Sequence, residues 1–252
     1  MKRLLKRISG ILLPAVLATV SAGGLYISKY YPVDDKVQAL ASEGTVTVTE
    51  TEFGYQFDGP GEEAACIFYP GAKVEDLAYS CLLKKVAAGG MDCFLVHMPG
   101  NLAIFGVNAA EELIESYTYD SWYLAGHSLG GAMAASFAAS HPGEVEGLAL
   151  LAAYPTKDLN DAVDEVVTIY GSEDTVVNQE KLVQGRDFMP AQYEEICLEG
   201  ANHAGFGTYG AQKGDGEASM DASKQQERTA EEILKLMDSV QHFRRCPPAS
   251  DA

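Results

Sequence analysis

The sequence predicts an α/β fold, with a mostly parallel central sheet and helices on both of its faces. Three observations predict it. From residue 64 to residue 243, apolar strand-like runs alternate with helical segments. The strand runs are nearly continuous in apolar residues, as strands covered on both faces must be. Finally, Gly126-His127-Ser128-Leu129-Gly130 stands between the apolar run Trp122-Tyr123-Leu124-Ala125 and an alanine-rich stretch. That is a strand, a tight turn and a helix in immediate succession.

The elements follow in order. Residues 1–28 read as an N-terminal membrane-spanning signal anchor. Lys2, Arg3, Lys6 and Arg7 crowd the start, and residues 8–27 carry no charge. A stretch of about 20 apolar residues is long enough to cross a bilayer as a helix. The competing reading is a signal peptide cut after Ala22, because Val20-Ser21-Ala22 fits a small-residue cleavage pattern. The apolar stretch continues past that point, which favours the anchor over secretion. In either case the basic N-terminus places the rest of the chain outside the cytoplasm.

Residues 29–63 read as a linker and an edge hairpin. Residues 29–45 are a polar juxtamembrane linker, with one short helical stretch around 34–41. Thr45-Val46-Thr47-Val48-Thr49 and Phe53-Gly54-Tyr55-Gln56-Phe57 alternate as paired strands do. Residues 64–245 are expected to form the main folded domain. Its strands are expected at 64–69, 93–97, 122–125, 148–152, 166–170 and 193–198. Its helices are expected at 74–88, 109–117, 129–140, 179–187 and 223–243. Residues 246–252 are expected to form a flexible tail. No internal repeat and no second domain is legible.

A formal net charge of −18 argues against nucleic acid as a partner, since phosphate binding needs clustered Lys and Arg. Cys66, Cys81, Cys93 and Cys197 fall in apolar strand-like or helix-like runs and are expected to be buried free thiols. Cys246 lies in the tail. The odd count and the absence of C-x-x-C spacing argue against a metal site and against a full disulfide framework. No cofactor is expected, and the oligomeric state is not legible.

Ser128 occupies the nucleophile position of a G-x-S-x-G elbow. A serine nucleophile needs a base within hydrogen-bond reach, and the base needs a carboxylate to hold its tautomer. With this strand–helix order the acid and then the histidine follow the serine. Three histidines do follow: His141, His203 and His242. His141 precedes Pro142 at a helix end, and His242 sits near the end of the last helix, where a cation suits the helix dipole. His203 lies on a glycine-rich loop after a strand and is the expected base. The expected acid is Asp174, in the turn Gly171-Ser172-Glu173-Asp174, with Glu173 as the neighbour able to substitute. The oxyanion hole is expected from the N–H groups of Leu129 and Ala72, with Gly71 allowing the sharp turn beside the substrate.

From about residue 64 to 243 the chain resembles the α/β-hydrolase superfamily. The resemblance is carried by Pro70-Gly71-Ala72, Gly126-His127-Ser128-Leu129-Gly130-Gly131, Gly171-Ser172-Glu173-Asp174 and Asn202-His203 in that order. More narrowly it looks like the alpha/beta hydrolase 5 family, relatives of dienelactone hydrolases. That match rests on Phe68-Tyr69-Pro70-Gly71, on Leu151-Ala152-Ala153-Tyr154-Pro155, and on residues 202–210 with Gln212-Lys213-Gly214-Asp215-Gly216. The resemblance implies an α/β-hydrolase fold and a triad of Ser128, Asp174 and His203; it implies no particular substrate. Dienelactone hydrolases use a cysteine nucleophile, and here the position is Ser128.

The connection from Tyr154 to Val166 is short, so no lid domain is expected. Residues 204–221 form a long glycine-rich loop expected to fold over the site, with Phe206 and Tyr209 as wall candidates. Residues 98–105 are the other expected wall, with Phe105 at its end; His97 reads as a structural strand-end residue. These features point to a serine hydrolase acting on a small-molecule acyl substrate: an ester, thioester or lactone. An acyltransferase or peptidase on the same fold is the alternative. A non-catalytic membrane-tethered binding module would need a broken triad, and the sequence contains none.

Overall fold

A computed structural model describes residues 29–34 and 39–245 of the chain. The expected anchor at 1–28, the tail at 246–252 with Cys246, and residues 35–38 of the short helical stretch lie outside the described residues. Among the described residues no helix is long and apolar enough to cross a membrane.

The strands are β1 (Thr47–Thr51), β2 (Gly54–Asp58), β3 (Ala64–Tyr69), β4 (Asp92–Val96), β5 (Ser121–His127), β6 (Gly147–Leu151), β7 (Glu165–Gly171) and β8 (Gln192–Leu198). They form one sheet in the order β1-β2-β4-β3-β5-β6-β7-β8. The β1–β2 hairpin adds to β4 in antiparallel fashion, and every pairing from β4 onward is parallel. β1 starts later than the threonine–valine alternation suggested, because Val46 and Glu43 exchange backbone hydrogen bonds across a turn.

The helices are α1 (Ser80–Ala88), α2 (Ala109–Ser116), α3 (Leu129–Ser140), α4 (Gln179–Gly185) and α5 (Ala222–Arg245). The expected helix at 74–88 is split: Asp76–Tyr79 is a 3₁₀ turn ahead of α1. β3 is wholly buried, and its residues alternate between two cores. Cys66 and Phe68 face a core shared with Leu82, Leu83 and Val86 of α1 and Ile233 and Leu236 of α5. Ile67 and Tyr69 face a core shared with Leu113 of α2 and Phe137 of α3. Each fully buried side chain of this size contributes roughly 1.5–3 kcal/mol relative to exposure. The continuous apolar strands and the two helical layers therefore have one cause.

Cys66 and Cys93 are buried free thiols, as expected, and burial pushes the Cys66 thiol up to about 12. Cys81 is only partly buried and Cys197 is exposed. Cys197 departs from expectation because β8 is the edge of the sheet, where of its residues only Leu198 is buried.

Candidate active site

The junction of β5 and α3 sets the site. Ser128 stands between them at φ 53° and ψ −121°. A non-glycine residue there costs about 1–3 kcal/mol and persists only where the surroundings fix it. They do so by close packing: a Cβ on Gly130 would lie 2.1 Å from the Tyr69 carbonyl oxygen and 2.4 Å from that of Pro70. The elbow thus sits directly against the end of β3 and its following turn. The Ser128 N–H also donates to the Leu151 carbonyl at 2.8 Å, which anchors the turn to β6.

Asp174 and His203 come from the turns after β7 and β8. Asp174 Oδ2 lies 2.8 Å from His203 Nδ1. Asp174 Oδ1 accepts the N–H groups of Val176 and Val177, each at 2.8 Å. Glu173 is exposed and accepts from Ser172, so the acid facing the histidine is Asp174. With the Nδ1 proton engaged by a carboxylate, the neutral His203 ring carries its lone pair on Nε2. Nε2 is buried and has no hydrogen-bond partner.

Asp215 holds the histidine loop. Its carboxylate accepts the His203 N–H at 3.2 Å and the Ala204 N–H at 2.8 Å. Asn202 adds two bonds, donating to the Gly216 carbonyl and accepting the Gly205 N–H. The long loop at 204–221 is therefore folded back on its own histidine.

Ser128 and His203 line one cleft of about 360 Å³, with Leu129, Met133, Tyr154 and Lys181 among its walls. No hydrogen bond joins the two catalytic candidates, an arrangement common before substrate binds. Among the described residues the N–H groups of Leu129 and Ala72 have no acceptor, so both are free to donate. The Gly71 N–H is occupied: it donates to the Tyr79 hydroxyl at 3.0 Å.

The expected walls fall elsewhere. Phe105 is 62% exposed, and neither it, Phe206 nor Tyr209 lines the Ser128 cleft. Phe206 is fully buried behind the histidines, its ring 5.5 Å from that of His127. Tyr209 packs on Tyr31 at 5.7 Å, and its hydroxyl donates to Gln212. Apolar rings on this loop fasten it to the body, and Met133, Tyr154 and Val176 face the cleft instead. His97 pairs with Asp76 at 2.8 Å, and His141 caps α3 at the Phe137 carbonyl.

Sequence reasoning missed Tyr154, Met133 and Asp215 as site residues. Tyr154 and Asp215 both lay inside motifs that carried the resemblance, which was the available signal. Among the described residues no group of three or more His, Cys, Asp or Glu side chains is disposed to hold a metal.

A model described as "Alpha/beta hydrolase family" matches residues 65–227. Among solved structures, the chain is similar to Est1E from Butyrivibrio proteoclasticus, at 13% identity and a TM-score of 0.56, covering 77% of this chain and 100% of that one. It is similar to a dienelactone hydrolase from Anabaena variabilis, at 12% identity and 0.58, covering 78% and 99%. It is also similar to carboxyl esterase 2 from Tuber melanosporum, at 11% identity and 0.56, covering 82% and 91%. Likeness at such identities speaks to the fold. Among curated proteins none matches the chain.

Proposed function

The chain belongs to the alpha/beta hydrolase family, and from that premise we propose that it is a serine hydrolase cleaving a small ester, thioester or lactone through an acyl-enzyme. The supporting observation is the buried Asp174–His203 pair, whose histidine lines the same cleft as Ser128. Ser128 Oγ attacks the carbonyl carbon and passes its proton to His203 Nε2. Asp174 keeps the proton on Nδ1 and stabilises the imidazolium that forms. The N–H groups of Leu129 and Ala72 receive the developing oxyanion. His203 then protonates the leaving group, and water repeats the sequence to release the acid.

A fluorophosphonate probe tests this directly. It should label the wild-type chain and fail to label Ser128→Ala. Labelling that survives the substitution sinks the proposal. The lack of any helix between β6 and β7 to cover the Ser128 cleft favours one second reading, transfer of the acyl group to an acceptor other than water. Product analysis in the presence of competing alcohols and amines separates the two.

A further inference from the structure

The residue before the nucleophile, His127, is buried and takes no part in the proposed proton transfers. Its surroundings are specific. The Tyr79 hydroxyl lies 2.8 Å from His127 Nδ1 and accepts the Gly71 N–H at 3.0 Å. Among the described residues, His127 Nδ1 is the one acceptor left for the hydroxyl's own proton. The chain therefore runs from Gly71 N–H to Tyr79 to His127 Nδ1, which places the ring proton of His127 on Nε2.

That Nε2–H is buried and has no hydrogen-bond partner. It faces the second catalytic loop. The rings of His127 and His203 are 4.5 Å apart, and Phe206 of the same loop packs on His127 at 5.5 Å. The His203 backbone carbonyl is near enough to favour a protonated ring, although it forms no hydrogen bond with Nε2. Burial nevertheless holds the imidazole neutral, well below the usual histidine range. The pair presses equally closely on the turn after β3: a Cβ on Gly71 would come within 2.7 Å of His127 Nδ1 and 2.8 Å of the Tyr79 hydroxyl. The buried Nε2–H is thus directed at the backbone of the His203 loop without a full hydrogen bond to it.

We infer that Tyr79 and His127 are positioning residues that tie the turn bearing the Gly71-Ala72 oxyanion donor to the loop bearing His203, so that donor and base come into register together. Tyr79 fixes the Gly71 peptide and with it the direction of the neighbouring Ala72 N–H. His127 transmits that placement to the His203 loop through its ring packing and its directed Nε2–H. Neither residue touches the reacting atoms. A neutral ring at this place also avoids repelling the imidazolium that His203 becomes.

This inference rests on the serine-hydrolase reading, so the test separates the two. Active sites of the full chain are first titrated with a fluorophosphonate, and turnover of an activated ester is expressed per titrated site. Tyr79→Phe keeps the ring and removes only the hydroxyl. It should lower kcat by about 10- to 100-fold with KM changed by less than about threefold, the signature of misplaced reacting groups. His127→Leu should behave likewise, and Tyr79→Phe combined with His127→Leu should cost little more than either alone. His127→Gln, which can still accept and donate, should recover most of the loss. A purely packing role would lower the titrated fraction and the melting temperature and leave kcat per site untouched. Labelled wild type with kcat per site within about twofold in both Tyr79→Phe and His127→Leu overturns the inference alone. Absence of labelling in the wild type overturns the serine-hydrolase reading and the inference with it.

Discussion

Asp174 and His203 meet at 2.8 Å through side chains that are 0% and 1% exposed, while the second oxygen of Asp174 is held by two backbone N–H groups. The carboxylate has no freedom to rotate, and so it dictates which nitrogen of the ring bears the proton. Asp174→Asn removes that dictation with little change in shape. We expect kcat to fall by about 10³- to 10⁴-fold with KM nearly unchanged, as for loss of the orienting acid in other triads. Steady-state kinetics on an activated ester checks it.

Asp215 grips the two N–H groups that open the histidine loop. Hydrogen bonds to a charged group contribute about 1.5–3 kcal/mol. Asp215→Ala should lower stability by about that amount in urea unfolding. It should also reduce kcat by about tenfold, because His203 loses its backbone tether. Unchanged kcat with lowered stability would assign Asp215 to the fold alone.

Acid should destabilise the protein through His127. Burial, and secondarily the neighbouring His203, lowers its folded pKa well below 6.5. The unfolded chain therefore takes up a proton near 6.5 that the native state refuses. Stability is intact above that value and is lost as pH falls through it toward the folded pKa, by up to about 1.4 kcal/mol per pH unit for one group. The dependence of unfolding free energy on pH between 6.5 and 5 should be shallower in His127→Gln, by up to one proton's worth.

The uncharged stretch at residues 8–27, behind its four basic residues, is proposed as an anchor. The full chain should remain in the membrane pellet after alkaline carbonate extraction. Recovery in the soluble fraction with a new N-terminus near Gly23 would establish cleavage instead.

Much of this was legible in the residues themselves. β3 and α3 match the expected 64–69 and 129–140 end to end, because continuous apolar content and a glycine-flanked serine are local signals. The acid turn and the histidine loop were legible because each follows a strand, β7 and β8. Side-chain direction was not. Phe206 and Tyr209 stand in a loop, where no periodicity tells an inward ring from one facing a cleft. Tyr79 and His127 lie 48 residues apart and meet only because β3 and β5 are neighbours. Cys197 follows Glu194-Glu195 in a run less apolar than the central strands, a sign of partial exposure that the strand order explains by placing β8 at the edge.

The stretch of residues 152–164, which carries no helix between β6 and β7, has a consequence in time. Enzymes that bury their substrate under a moving segment commonly wait for it, on microseconds to milliseconds, before product can leave. No helix of this connection has to open or close here. Exchange of substrate and product should proceed at the pace of diffusion, and kcat should stay flat as solvent viscosity rises, set by bond making and breaking at Ser128.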